Sequence, residues 1–152
     1  MFRLDERLQA DTLYLGRLPL CKVLLMKDRR YPWVILVPAR QDVFEYYHLS
    51  QQDRAQLMEE SALVAEKMSD HFDAESMNVA ELGNIVAQLH VHHIARFKDD
   101  PAWPGPVWGH SPSEPYDDVA LKQRAEEITN LLNGHLIPES EADDDIVDTV
   151  YW

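Results

Sequence analysis

Gln88, His90 and His92 alternate along the segment Gln88-Leu-His-Val-His-His-Ile-Ala-Arg96. In an extended strand alternate side chains share a face, so these three project together while Val91 and His93 point the other way. Two imidazoles on one face suit two kinds of chemistry. They can hold a metal, or they can divide nucleophile and acid roles at an anionic group. A metal needs a third ligand, and the stretch after the histidines is Arg96-Phe-Lys98, whose cations oppose a bound cation. His93 faces away, and the spacing gives His110 no fixed place. A third reading is histidines satisfied by hydrogen bonds on a half-buried sheet. Spacing alone does not decide among the three.

The elements that must position these residues follow from the pattern. Asp5 caps a short helix over residues 6–10, followed by a strand over Thr12–Leu15 and a turn from Gly16 to Pro19. Leu20–Met26 is apolar and strand-like, and Lys27–Arg30 is a polar turn. Trp33–Val37 is β-branched and aromatic and stops at Pro38, the signature of a buried strand. Ser50 followed by Asp53 resembles a capping box. It opens a long helix to about Phe72, with Leu57, Ser61, Val64, Met68 and Phe72 on one stripe. Met77–Ala80 and Ile85–Arg96 predict two further strands. Residues 101–116 contain five prolines and two tryptophans, an irregular loop whose aromatic content predicts packing on something. With Ile85–Arg96 it is expected to contribute to a dimer or its flank, since exposed Trp103 and Trp108 would otherwise leave apolar surface in water. A last helix spans about 117–133, with Leu121, Ala125, Ile128 and Leu132 inward. Asp117 and Asp118 suit its positive end, and Gly134 its stop. The class is therefore α+β: a mainly antiparallel sheet with a long helix packed on it and a C-terminal helix.

Bulk properties narrow the partners. The 152 residues amount to one domain. A formal net charge of −13 repels nucleic acid overall, yet a few local donors can still hold one phosphate. No apolar run approaches the roughly 20 residues of a membrane span, so no membrane partner is expected. Met1-Phe-Arg-Leu-Asp-Glu-Arg7 lacks the apolar stretch of a signal peptide, and Cys21 is the only cysteine. Both fit a reducing cytoplasm. Glu139, Glu141, Asp143, Asp144, Asp145 and Asp148 crowd the C-terminus. This divides the chain into a domain over 1–138 and a solvated acidic tail over 139–152, with Val147, Val150, Tyr151 and Trp152 leaving room for docking.

The histidine segment resembles the signature of the histidine triad (HIT) superfamily, three histidines alternating with apolar residues after a Gly-Gln-Ser/Thr-Val lead-in. Gly83-Asn84-Ile85-Val86 matches that lead-in in part, and Trp33-Val-Ile-Leu-Val-Pro38 looks like the family's His-φ-Leu-Val-φ-Pro strand, φ being apolar. The likeness runs from about Leu20 to Arg96. It implies a HIT-like fold with a five-stranded or similar sheet, usually paired into a homodimer. His90 then falls on the nucleophile that forms a nucleotidyl-histidine. His92 falls on the histidine that contacts phosphate and assists the leaving group. Asp28 falls near the acid or amide that binds ribose, and Asn78 near an Asn/Gln that precedes the signature. Asn84 joins the candidate phosphate donors, and Arg96 and Lys98 follow on the strand where they could meet a polyphosphate. Leu18, Leu24 and Met26 are more readily core than base-binding residues.

Three departures stand out. The first triad histidine is Gln88, the supporting histidine of the upstream strand is Trp33, and the phosphate-contacting Ser/Thr is Ile85. The pattern is similar to a bacterial HIT-like branch with Gln at the first triad position. Both family histidines brace the nucleophile, so a replacement brace is expected, with Trp33 donating to Gln88, or with the Trp33 ring walling off the space while Gln88 bonds backbone. The implied function is hydrolysis or nucleotidyl transfer at the α-phosphate of a nucleotide conjugate, a phosphoramidate or dinucleoside polyphosphate, with a purine nucleotide as the small-molecule partner. Neither a cofactor nor a resident metal is implied. The rival readings are a nucleotide-binding sensor that has lost turnover, and a metal-binding sheet protein using His90 and His92.

Overall fold

The computed structural model describes residues 1–138. The acidic tail expected over 139–152 lies outside the described residues. The described chain forms α1 (Glu6–Asp11), β1 (Thr12–Arg17), β2 (Cys21–Met26), β3 (Trp33–Pro38), a short 3-10 turn (Tyr46–His48), α2 (Gln51–Phe72), β4 (Ser76–Glu81), β5 (Val91–Arg96) and α3 (Asp118–Leu131). The strands make one five-stranded sheet in the order β1-β2-β3-β5-β4, every pairing antiparallel. This is the α+β architecture expected from the pattern. Among the described residues no helix is long and apolar enough to cross a membrane.

Each face of the sheet builds a core. On one side Val23, Leu25, Val34, Leu36, Val91 and Ala95 meet Leu57, Val64 and Met68 of α2 and Ile128 of α3. Each such buried aliphatic contributes ~1.5–3 kcal/mol. The predicted stripe on α2 is correct in phase, and it also carries a charge inward. Glu60 is buried because its carboxylate accepts from the backbone N–H groups of Leu20 and Cys21 and from Gln56. The helix starts where the cap motif placed it, with Ser50 Oγ accepting from Asp53 N–H. On the other side Leu24, Trp33, Ile35, Val37 and Ile94 meet Phe2, Leu4 and Leu8 from the N-terminal segment and Val107 from the proline-rich loop.

Three expectations need correction. Strand β5 begins at Val91, not Ile85, because its partners run out there: Val91 pairs with Leu36 and Glu81, and the chain before it has left the ladder. Leu89 N–H instead donates to Val43 C=O. Strand β1 runs on through Gly16 to Arg17, carried by a bulge between Tyr14 and Gly16. Trp103 and Trp108 are not bare. Trp108 stands edge-on to Trp33, and the Trp103 ring takes the Arg96 guanidinium over its face at 5.8 Å. An aromatic loop that needs a second subunit to cover it is therefore not what the chain displays. The large exposed apolar side chains are elsewhere, among them Tyr46, Met58 and Val79.

Candidate active site

Strand alternation puts His92 and Ile94 on the same face as Trp33 and Ile35, since Ile35 pairs with His92 and Trp33 with Ile94. His93 goes to the opposite face, where its Nε2 lies 2.7 Å from Ser61 Oγ on α2. His90 sits just before the strand, but its ring still reaches the His92 side, with ring centroids 4.9 Å apart. The two imidazoles form one wall of a cavity of about 290 Å³. Leu8 and Asp11 of α1, Met26 and Ile35 of the sheet, Asn84 and Val86 of the β4–β5 connection, and Trp108 line it further. The walls are largely apolar with a few polar groups among them, as expected of a small-molecule site.

The hydrogen bonds of the two rings differ in kind. His90 Nδ1 lies 2.7 Å from the carbonyl oxygen of Gln88. A carbonyl only accepts, so Nδ1 carries the proton and, in the neutral ring, Nε2 holds a lone pair. His92 Nδ1 is met by Trp33 Nε1–H at 2.9 Å. Burial, and then His90 and His93, push the His92 pKa down to about 3, so the ring is neutral near pH 7. His93 is pushed down to about 4, also by burial.

The expected site residues divide. His90, His92 and Asn84 line the cavity, whereas Gln88, Asp28, Asn78 and Arg96 do not. Gln88 reaches the N-terminal segment and not the cavity. Its amide oxygen accepts from Asp5 N–H and its amide nitrogen donates to Arg3 C=O, so the side chain pins the N-terminal segment. Trp33 accordingly has His92, not Gln88, as its hydrogen-bond partner, so the expected direct Trp33–Gln88 bond is absent, while Gln88 bonds backbone as in the other alternative. Asp28 is buried and held by Arg30 through Nε and Nη2. Arg96 is 1% exposed. It is engaged by Asp100 through Nε and Nη2, by Asn78 Oδ1 and by Gly105 C=O, which ties the proline-rich loop to β5 and β4. Neither Arg96 nor Asn78 lines the cavity, so neither is placed to meet a phosphate there. Lys98 pairs with Glu75 at the surface.

The sequence reading missed Arg7, Asp11 and Trp108. Arg7 and Asp11 are one helical turn apart and line the cavity together. The i,i+4 spacing beside Leu8 was the available signal, but nothing local shows that this short helix faces the histidines. Among the described residues no three His, Cys, Asp or Glu side chains come together as a metal site would need.

The model of the HIT domain family matches residues 7–99. A histidine triad protein from Sinorhizobium meliloti 1021 is 48% identical, with 87% of this chain and 98% of that one covered and a TM-score of 0.84. A histidine triad protein from Marinobacter aquaeolei VT8 is 47% identical over 90% of this chain and 96% of its own, with a TM-score of 0.81. A third, from Bradyrhizobium japonicum, is 41% identical over 85% and 96%, with a TM-score of 0.82. No curated protein matches the chain.

Proposed function

The chain belongs to the HIT domain family, and from that premise we propose that it binds a nucleotide in the cavity beside His90 and His92 and cleaves it at the α-phosphorus through a nucleotidyl-His90 intermediate. The observation that carries this reading is the Gln88 carbonyl on His90 Nδ1. It fixes the ring with its Nε2 lone pair free, which is what a nitrogen nucleophile requires. His92 and Asn84, which line the same cavity, supply donors to the charge that develops on the phosphoryl oxygens. Leu8, Met26, Ile35 and Val86 give the base an apolar bed. Asp11 is the carboxylate of the cavity, and it takes the ribose role that the sequence had suggested for Asp28.

The test is a titration of histidine-labelled protein with adenosine monophosphate, followed by an assay of turnover on a diadenosine polyphosphate. Chemical-shift changes at His90 and His92 together with turnover support the reading. Shifts without turnover would leave a nucleotide-binding sensor, the second reading. No shift at millimolar nucleotide would overturn both.

We also infer that two copies pair along β4. Among the described residues this strand has a neighbour on one side only, and exposed Tyr46, Met58 and Val79 flank a groove beside it. A two-fold axis makes an antiparallel edge complementary to itself. The other edge, β1, is approached by the chain after α3, where Ile137 N–H donates to Arg17 C=O. Sedimentation at tens of micromolar, roughly where a modest interface forms, should show a dimer that Val79→Lys dissociates. A wild-type monomer there would contradict the pairing.

A further inference from the structure

The geometry points to Trp33 as a positioning residue that locks His92 in its neutral Nε2–H form, so that His92 donates a hydrogen bond to the reacting phosphate but gives no proton to the leaving group. The inference rests on the reading of this cavity as a nucleotide site, and it narrows the substrate class. The site favours nucleotides joined through a phosphoric anhydride over those joined through a P–N bond.

The indole nitrogen is a donor and never an acceptor. With Trp33 Nε1 at 2.9 Å, His92 Nδ1 must present its lone pair. The single ring proton of neutral His92 therefore sits on Nε2. His90 has the opposite arrangement, because a carbonyl faces its Nδ1. Two rings 4.9 Å apart thus carry complementary tautomers, each set by one partner of fixed polarity. To become an imidazolium, His92 would have to turn an Nδ1–H against the Trp33 N–H. Trp33 is poorly placed to turn away. It is buried in the sheet, with Tyr31 edge-on at 6.3 Å and Trp108 edge-on at 6.0 Å. Burial independently holds His92 neutral.

The consequence lies in the leaving group. The His90 Nε2 lone pair forms the N–P bond, and the bond from phosphorus to the leaving group breaks. In an anhydride the electron pair goes to a phosphate oxygen, which departs as a stable anion without a proton. In a phosphoramidate the pair goes to nitrogen, and the amine departs only if something protonates it. A neutral Nε2–H is far too weak an acid for that at neutral pH. In the second step water attacks phosphorus, the N–P pair returns to His90 Nε2, and the proton of the water passes to solvent. That step is common to both substrates, so the discrimination sits in the first.

Two measurements on the full chain test this. Long-range proton–nitrogen correlation of labelled wild-type protein at pH 7 should show His92 protonated on Nε2 alone and His90 on Nδ1 alone. His92 protonated on Nδ1, or charged, would overturn the assignment whatever the enzyme turns over. The second measurement compares kcat/KM on a diadenosine polyphosphate and on adenosine phosphoramidate. The anhydride should lead by at least ~10²-fold, the lower end of what a general acid is worth. Trp33→Phe, which removes the donor and keeps a ring, should let His92 mix its two neutral tautomers in the same correlation spectrum and lower kcat and not KM on the anhydride. Equal use of both substrates by wild type would overturn the leaving-group claim, and an unmoved His92 tautomer in a folded Trp33→Phe would overturn the role of Trp33. If neither substrate turns over, the proposed hydrolysis fails, while the tautomer pattern still decides the role of Trp33.

Discussion

The carbonyl of Gln88 and Nδ1 of His90 stand 2.7 Å apart, so the residue at the first triad position orients the proposed nucleophile through its backbone, not its side chain. That relationship survives almost any substitution at position 88. The amide side chain does a different job, 83 residues away in sequence, at Asp5.

Substituting Gln88 therefore separates stability from chemistry. Gln88→Ala leaves the Asp5 N–H and Arg3 C=O without their partner and should cost ~1–3 kcal/mol, read as a lower denaturation midpoint with faster hydrogen exchange in residues 2–8. kcat should stay within a few-fold. Gln88→His should bring no gain in activity, since position 88 does not line the cavity. Because Gln88 and Trp33 have different side-chain partners, their effects on stability should add within ~0.5 kcal/mol in a double-mutant cycle. Strong coupling would mean the brace exists after all.

The two histidines should fail differently. His90→Ala should reduce turnover to background while leaving nucleotide affinity within a few-fold. His92→Ala removes a donor to the developing charge and should cost ~10²–10³ in kcat. A His90→Ala enzyme as active as wild type would refute the nucleophile.

Asp11 and Arg96 test which charges serve the ligand. Asp11→Asn should weaken adenosine monophosphate binding, measured by calorimetry, by about the worth of a hydrogen bond to a charged group, ~1.5–3 kcal/mol, with little change in stability. Arg96→Met strands Asp100 and should destabilise the fold by ~3–5 kcal/mol, the cost of breaking a buried pair. Nucleotide affinity of the folded variant should stay near that of wild type. The reverse pattern would return Arg96 to the phosphate.

Acid should weaken the fold through His92 and His93. Their folded pKa values lie at about 3 and about 4, below the ordinary 6.5. Between those values and 6.5 the unfolded chain binds protons that the folded chain excludes. Stability therefore rises with pH across that window, is complete above 6.5, and is lost as pH falls. Each unit is worth ~1.4 kcal/mol, so the pair accounts for a loss of several kcal/mol on acidification. Urea denaturation at pH 7 and pH 4.5 should show it, and His93→Gln should flatten the profile. An unchanged slope in His93→Gln would assign the acid sensitivity to other groups.

Local pattern made much of this legible. The β-branched run Trp33–Val37, the Ser50 cap and the stripe on α2 each depend on neighbours in sequence, and each appears where it was expected. The split of His92 from His93 followed from strand alternation alone. The misplaced residues share another property: their partners are chosen by the tertiary fold. Gln88 is satisfied by backbone at positions 3 and 5, Trp33 by a histidine two strand positions off its register partner, and Leu89 by Val43. No periodicity encodes those pairings. Arg96 was the readable exception, since Asp100 lies four residues on and claims it.

The central claim is that His90 carries the nucleotide, and it can be tested by trapping. Wild-type protein mixed with a diadenosine polyphosphate and quenched in alkali within a turnover should yield, by peptide mass spectrometry, an adenylyl group on His90. It should be absent from His90→Ala and should accumulate when water attack is slowed. Steady turnover with no adduct at His90, or an adduct on another residue, would contradict the account.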